Sequence, residues 1–198
     1  MRPAKLSKAQ LLSHCAVVFK QHGYHGSSMQ MLADACGLSK GAFYYHYSNK
    51  EDLLHDLLDQ VHSQLKSNLF NIATRSELSL KQRFEQMHQA AVAFFTHGET
   101  GCLMAIISIE ALYTLPALLP TIQLFFHDWQ HTMQQLYIER YPAAQATALA
   151  KQSIADYEGA ILMYRLTQDF DYIELLKQRI LAQLTAQPQL SPLSSNRY

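Results

Sequence analysis

The chain has 198 residues, of which 48% are hydrophobic and 16% charged, a balance that builds a globular core and excludes a disordered or fibrous protein. Lys and Arg equal Asp and Glu in number, so the net charge is zero. No apolar run approaches the ~18 residues that a membrane span needs.

Met1–Lys5 leads straight into an amphipathic pattern with no hydrophobic signal core, so a soluble, cytoplasmic protein without membrane partners is expected. Cys15, Cys36 and Cys102 lie far apart with no Cys-x-x-Cys spacing, so neither a disulfide framework nor a zinc site is expected. The charge is unevenly spread. Residues 1–50 hold six cations (Arg2, Lys5, Lys8, Lys20, Lys40, Lys50) against the single anion Asp34, a net of +5, and the remainder carries −5. A basic end on a neutral chain points to a polyanionic partner.

Nearly every segment reads as helix. Ser7-Lys8-Ala9-Gln10 is a capping box, and Leu12, Cys15, Ala16 and Phe19 follow at helical spacing until Gly23 stops the run. Ser28 caps a short second helix that Gly37 ends, and Ser39 opens a third through about Tyr45. Ser48-Asn49-Lys50-Glu51 is a second capping box, predicting a fourth helix to about Thr74, and Ser79-Leu80-Lys81-Gln82 opens a fifth that stops before Gly98. The apolar segment Cys102–Leu112 predicts a buried sixth helix. Pro116 and Pro120 suit the first turn of a seventh, ending near Tyr141-Pro142. An eighth is expected from about Ala143 to Thr167, and a ninth from Asp171 to Pro188. The fold class is therefore all-α, about nine helices. The expected division is a three-helix unit over 1–50, a helical body over 51–186 and a mobile Ser/Pro-rich tail over 187–198.

The short helix, glycine turn and short helix between about 28 and 47 have the dimensions of a helix-turn-helix, which lays its second helix in the major groove of DNA. Ser39, Lys40 and Gly41 open that helix, where free N–H groups and small side chains allow close approach to phosphate or base edges. Tyr44, Tyr45 and His46 add hydroxyl and imidazole groups, and Lys50 is placed for a second phosphate. Gln30 reaches a phosphate or base edge, or simply stands in solvent; Tyr47 reads as packing.

The run Gly37-Leu38-Ser39-Lys40-Gly41-Ala42-Phe43-Tyr44-Tyr45-His46-Tyr47-Ser48-Asn49-Lys50-Glu51 resembles the signature of the TetR/AcrR family of repressors, with Tyr47 where phenylalanine is usual. Phe19, Gly23, Tyr24, Ser28, Leu32 and Ala33 are similar to the family's first two helices. The resemblance covers about residues 7–65. It implies a homodimer on a palindromic operator, released by a small molecule, and adds Ser28 to the DNA-binding candidates. It also implies an inducer pocket among helices four to eight, for which Phe95, Met104, Ile107, Trp129, Met133, Tyr157 and Tyr164 are candidates. Helices eight and nine become the dimer interface, through Ile154, Ile161, Leu175, Leu176 and Ile180. The alternative is a ligand-independent architectural or cell-division protein of the same fold.

No enzyme, cofactor or metal is expected. His127 and His131 lack further ligands, Glu85-x-x-His88 lacks its second copy, and no nucleophile elbow or phosphate loop occurs. Cys102 is a candidate redox sensor. Thr100-Gly101-Cys102-Leu103 sets its thiol in the first turn of the sixth helix, where unpaired N–H groups lower a thiol pKa. A Gly-Cys-Leu opening is similar to a subgroup of the family, some of whose members sense oxidants or electrophiles. The alternative is a small buried hydrophobe.

Overall fold

A computed structural model of the chain describes residues 6–96 and 101–186. The first cations, Arg2 and Lys5, and the expected mobile tail lie outside the described residues. Nine α-helices run through the described residues, with no strand among them.

Helix α1 (Lys8–His22) starts as its sequence dictates: Ser7 Oγ accepts from Gln10 N–H at 3.2 Å, and Gln10 Oε1 accepts from Ser7 N–H at 3.0 Å. Helices α2 (Met29–Ala35) and α3 (Lys40–His46) follow. Helix α4 (Lys50–Asn68) is capped by Asn49, one residue later than Ser48, because the Asn49 side chain accepts from Asp52 N–H at 2.8 Å. It also ends earlier than expected. Leu69 leaves helical dihedrals, and Phe70–Thr74 tightens into a 3-10 turn that buries Phe70 and Ile72.

Helix α5 (Leu80–Thr96) repeats the Ser-x-x-Gln box at Ser79 and Gln82. Helix α6 (Leu103–Thr114) buries only one side. Ile109, Leu112 and Tyr113 on its other side stand in solvent, so the expectation of a wholly buried helix does not hold. A 3-10 turn (Pro116–Leu118) leads into α7 (Leu119–Tyr137); α8 (Ala143–Thr167) and α9 (Asp171–Thr185) complete the chain. Gln168 takes a left-handed conformation that closes α8.

Helices α1–α3 pack as a small unit, α1 against both α2 and α4. Helices α7, α8 and α9 pack in sequence, with α5 on α9, and α4 and α6 reach from this body to α7 and α1. One core is continuous through both parts. At its centre Phe95 stacks on Trp129 at 5.4 Å between centroids, and Trp129 meets Tyr157 at 5.3 Å and Phe125 at 5.8 Å.

His88 packs against this cluster beside Tyr157. Its Nδ1 lies 2.9 Å from the Tyr157 hydroxyl, and burial, reinforced by Lys177 and opposed by Glu174, holds its pKa down at about 4. A depressed pKa means that the unfolded chain takes up the proton first. The contribution to stability is whole above about 6.5 and is lost as pH falls through about 4. The shift corresponds to about 3 kcal/mol at most. His88→Gln keeps a polar partner for Tyr157 without titrating, so urea unfolding between pH 7 and 4 should show a shallower loss of stability than in wild type. Parallel profiles would mean that His88 does not titrate as this packing requires.

Candidate nucleic-acid interface

The turn between α2 and α3 is built by hydrogen bonds that only a left-handed residue completes. Gly37, at φ 64°, donates its N–H to Asp34 O at 2.9 Å, and Leu38 N–H reaches back to Ala33 O at 3.0 Å. This is a Schellman closure, and it fixes the angle between the two helices. Ser28 Oγ caps α2 by accepting from Met31 N–H, and Ser39 Oγ caps α3 by accepting from Ala42 N–H, both at 3.2 Å.

Helix α3 is held by its buried side. Phe43 lies in the core, and Tyr47 follows it inward and donates its hydroxyl to Asp56 Oδ2 at 2.8 Å. Asp56 is itself paired with Lys8 of α1 at 2.7 Å, so three helices meet at one carboxylate. With Phe43 and Tyr47 inward, Ser39, Lys40, Gly41, Tyr44, Tyr45 and His46 all face solvent. Tyr45 is 90% exposed, and Lys40 Nζ sits 6.0 Å from the Tyr44 ring centroid. A cation, an open backbone at Gly41 and aromatic hydroxyls thus share one surface. Gln30 and Ser28 lie exposed on α2, where Gln30 Nε2 donates to Asp34 Oδ1 at 2.8 Å.

Lys50 differs from its expected role. Its ammonium turns inward, donating to Tyr24 O and, at 2.7 Å, to Ser27 O, and it lies 4.0 Å from the Tyr24 ring centroid. The expected phosphate contact is not the use this geometry gives it; two carbonyls of the α1–α2 turn occupy it. The same turn is gripped from the other side by Glu110 of α6. The Glu110 carboxylate accepts from Tyr24 N–H and from His25 N–H, each at 2.8 Å, while His25 Nε2 meets Thr114 Oγ1 at 2.9 Å. A Cβ at Gly23 would run into Glu110 Oε1, so glycine is what permits this approach. Farther along, Arg165 of α8 donates to Lys20 O at the end of α1, at 2.8 Å. Neither Glu110 nor Arg165 stands out in the sequence, because their partners lie 86 and 145 residues away.

The other expected sites divide. Phe95, Met104, Ile107, Trp129, Met133 and Tyr157 come together, but as tightly packed core side chains. Tyr164 stands apart, half-buried against Phe170 at 5.6 Å between centroids. A cleft of about 710 Å³ between α1, α4 and α5 is lined by none of these seven.

Of the expected interface residues, Ile161, Leu176 and Ile180 point into their own subunit and Ile154 is half-buried; Leu175 alone stands in solvent. The outward apolar surface of α8 is instead Leu162 and Leu166, 55% and 69% exposed, continued by Phe170 and Tyr172.

Cys102 is the N-cap of α6, one residue before its expected place in the first turn, and it is buried. Burial and the neighbouring Glu158 carboxyl push its thiol well above the ordinary value, opposite to the lowered pKa that a sensor thiolate needs. Burial likewise lifts Glu158 to about 7. Cys15 and Cys36, remote in sequence, bring their sulfurs to 3.8 Å inside the small N-terminal core, both as free thiols. Among the described residues no cluster of His, Cys, Asp and Glu could hold a metal ion, and no helix is long and apolar enough to cross a membrane.

Residues 7–57 match the family model of bacterial regulatory proteins of the tetR family, and residues 80–179 match that of the C-terminal domain of LmrA/YxaF-like transcriptional regulators. The transcriptional repressor DhaR of Mycobacterium sp. strain GP1 is 26% identical over 158 residues, covering 77% of this chain and 79% of that protein. The transcriptional activator FasR of Mycolicibacterium smegmatis is 31% identical over 99 residues, covering 50% of this chain and 45% of that protein. Among solved structures, a TetR transcriptional regulator from Legionella pneumophila superposes with a TM-score of 0.81 at 22% identity, covering 90% of this chain and 97% of that one. Reduced NemR of E. coli gives a TM-score of 0.71 at 17% identity, covering 87% and 94%. The signature around α3, the all-helical fold and both matched segments agree, and the chain belongs to the TetR family of transcriptional regulators, not to a family of enzymes.

Proposed function

We propose that this protein is a cytoplasmic repressor whose homodimer binds a palindromic operator, with α3 of each subunit in a major groove, and that a small molecule releases it. Residues 6–50 then form the DNA-binding unit and 51–186 the regulatory and dimerisation body. The observation that carries the reading is the surface of α3. Phe43 and Tyr47 anchor it from beneath, which leaves Lys40, Gly41, Tyr44 and Tyr45 presented together on a rigid mount. Rigid presentation lets a few side chains read a groove. Repression is the activity in DhaR's name, and it supports the same sense of regulation for this chain.

Release requires the regulatory body to move the DNA-binding unit. Glu110 and Arg165 supply that connection, since each belongs to the body and grips backbone at the end of α1. Beside that connection lies the cleft between α1, α4 and α5, a feature that a ligand-independent protein of this fold does not require. The cleft at the junction favours the regulated reading.

Duplexes selected from random sequence by the wild-type protein provide the test. Lys40→Ala should weaken binding to all sequences and lower the slope of log affinity against log salt by about one, as for one lost phosphate contact. Tyr45→Ala should weaken binding roughly tenfold, equivalent to about 1.4 kcal/mol, with the salt slope unchanged. Unaltered affinity in both variants would mean that α3 does not face DNA.

A further inference from the structure

We infer that Cys15 and Cys36 form a dithiol site inside the small N-terminal unit, that hydrogen peroxide oxidises it to an intramolecular disulfide, and that the bridge displaces α2 and weakens DNA binding. The site stands on geometry; its consequence rests on the regulator reading above.

The pair joins two helices at different depths. Cys15 lies mid-way along α1, wholly buried, with Leu11 and Leu12 one turn before it and Val18 and Phe19 one turn after. Cys36 is the C-cap of α2 and 5% exposed, between the exposed Ala35 and Gly37. Packing of α2 on α1 brings the two sulfurs to 3.8 Å, and Cys36 Sγ lies 3.7 Å from Leu11 O. The contact makes the two thiols unequal. Cys15 S–H donated to the Cys36 sulfur favours a Cys36 thiolate and lowers its pKa, against the opposing effect of burial. The same bond, with burial, raises the pKa of Cys15. An attacking thiol thus sits nearer the surface, with a resolving thiol beneath it.

The chemistry is a two-electron oxidation. The Cys36 thiolate attacks one peroxide oxygen and the O–O bond breaks. Cys36 becomes a sulfenic acid, and the departing hydroxide takes up the proton that Cys36 released and leaves as water. The Cys15 sulfur then attacks the Cys36 sulfur, the S–O bond breaks, and hydroxide leaves with the Cys15 proton as a second water. Two thiols and one peroxide give one disulfide and two waters. A reducing thiol reverses the bridge by exchange. In a thiol-rich compartment, such a bond serves as a sensor and not as a staple.

Position supplies the consequence. The sulfurs must close from 3.8 Å to about 2.0 Å. Helix α1 resists, because it carries the Ser7/Gln10 box, packs on α4 and has its end held by Arg165. Helix α2 is seven residues long and buries only Leu32 and Ala33. What side-chain rotation does not take up therefore falls on α2. Cys36 directly precedes Gly37, whose closure sets the angle to α3. A bridge therefore re-aims the surface that holds Lys40, Tyr44 and Tyr45.

The test treats the full-length protein with hydrogen peroxide and counts thiols after denaturation. Wild type should fall from three titratable thiols to one, lose the mass of two hydrogens and yield a Cys15–Cys36 cross-linked peptide, all restored by dithiothreitol. Cys102→Ala should form the same bridge. Cys36→Ser should keep both remaining thiols. Cys15→Ala should leave a sulfenic acid at Cys36 that dimedone traps, and a cooperative melt shows that each variant is folded. Three thiols retained in wild type, or a bridge to Cys102 or to a second chain on non-reducing electrophoresis, overturns the site. Binding to a selected duplex reads the consequence. Oxidation should weaken wild type roughly tenfold, reversibly, and leave Cys36→Ser unchanged. A Cys15–Cys36 bridge with unaltered DNA affinity would keep the modification site and overturn its regulatory role; absence of DNA binding by the reduced protein would sink the repressor reading alone.

Discussion

Glu110→Ala is expected to free the turn after α1 and to cost about 2–4 kcal/mol of stability: hydrogen bonds to a charged group contribute about 1.5–3 kcal/mol each, and water recovers part of that at the exposed His25 N–H. Two such bonds are at stake, to the backbone N–H groups of Tyr24 and His25. No neighbouring side chain can replace them, because Lys50, on the other side of the turn, is itself a donor. Glu110→Gln keeps the shape but offers a neutral carbonyl to one N–H and an amide donor to the other, so an intermediate loss is expected. Amide hydrogen exchange should accelerate at Tyr24 and His25 in both variants, more in the alanine, and urea melts should rank wild type, glutamine, alanine. DNA affinity should fall as well, because the turn sets where α2 and α3 sit relative to α6. Unchanged exchange at these two amides in Glu110→Ala would remove the carboxylate from the connection between the two parts of the molecule.

What the sequence discloses is local, and what it conceals is decided across distance. The Ser7/Gln10 and Ser79/Gln82 boxes are legible because capping joins residues three apart, and both form. The same logic slips by one residue at α4, where Ser48 and Asn49 are both competent caps and side-chain reach selects Asn49. The exposed face of α3 is legible too, since Phe43 and Tyr47 leave their neighbours outward by periodicity alone. Aromatic and apolar residues at helical spacing fit a ligand pocket as well as a core, and packing made Phe95, Trp129 and Tyr157 a stacked cluster. The cleft between α1, α4 and α5 depends on alanines, which carry no signal in a single sequence. On α8 both stripes are apolar, so periodicity cannot tell Ile161 from Leu162; only the position of α7 and α9 decides which one faces inward.

That distinction sets the last expected result, and the two stripes should respond in opposite ways. Leu162→Arg with Leu166→Arg should give a folded monomer. Both side chains are already more than half exposed in the subunit, so arginine costs the isolated fold little. In a dimer closed by α8 and α9 they would be buried across a two-fold axis, where each leucine contributes about 1.5–3 kcal/mol and an unpaired charge costs more. Ile161→Arg and Leu176→Arg, each 4% exposed, should instead unfold the subunit, because the guanidinium would enter its own core. Sedimentation and thermal melts together discriminate the outcomes: a cooperative melt with halved mass for the Leu162/Leu166 variant, and loss of the melt for the other two. Operator binding should follow assembly. A palindromic site is held by two recognition helices about 34–36 Å apart, and a monomer forfeits the second contact, so affinity should fall by roughly a hundredfold or more. A Leu162/Leu166 variant that stays dimeric at micromolar concentration would place the interface on another face, with the apolar outer side of α6 (Ile109, Leu112 and Tyr113) next to be tested.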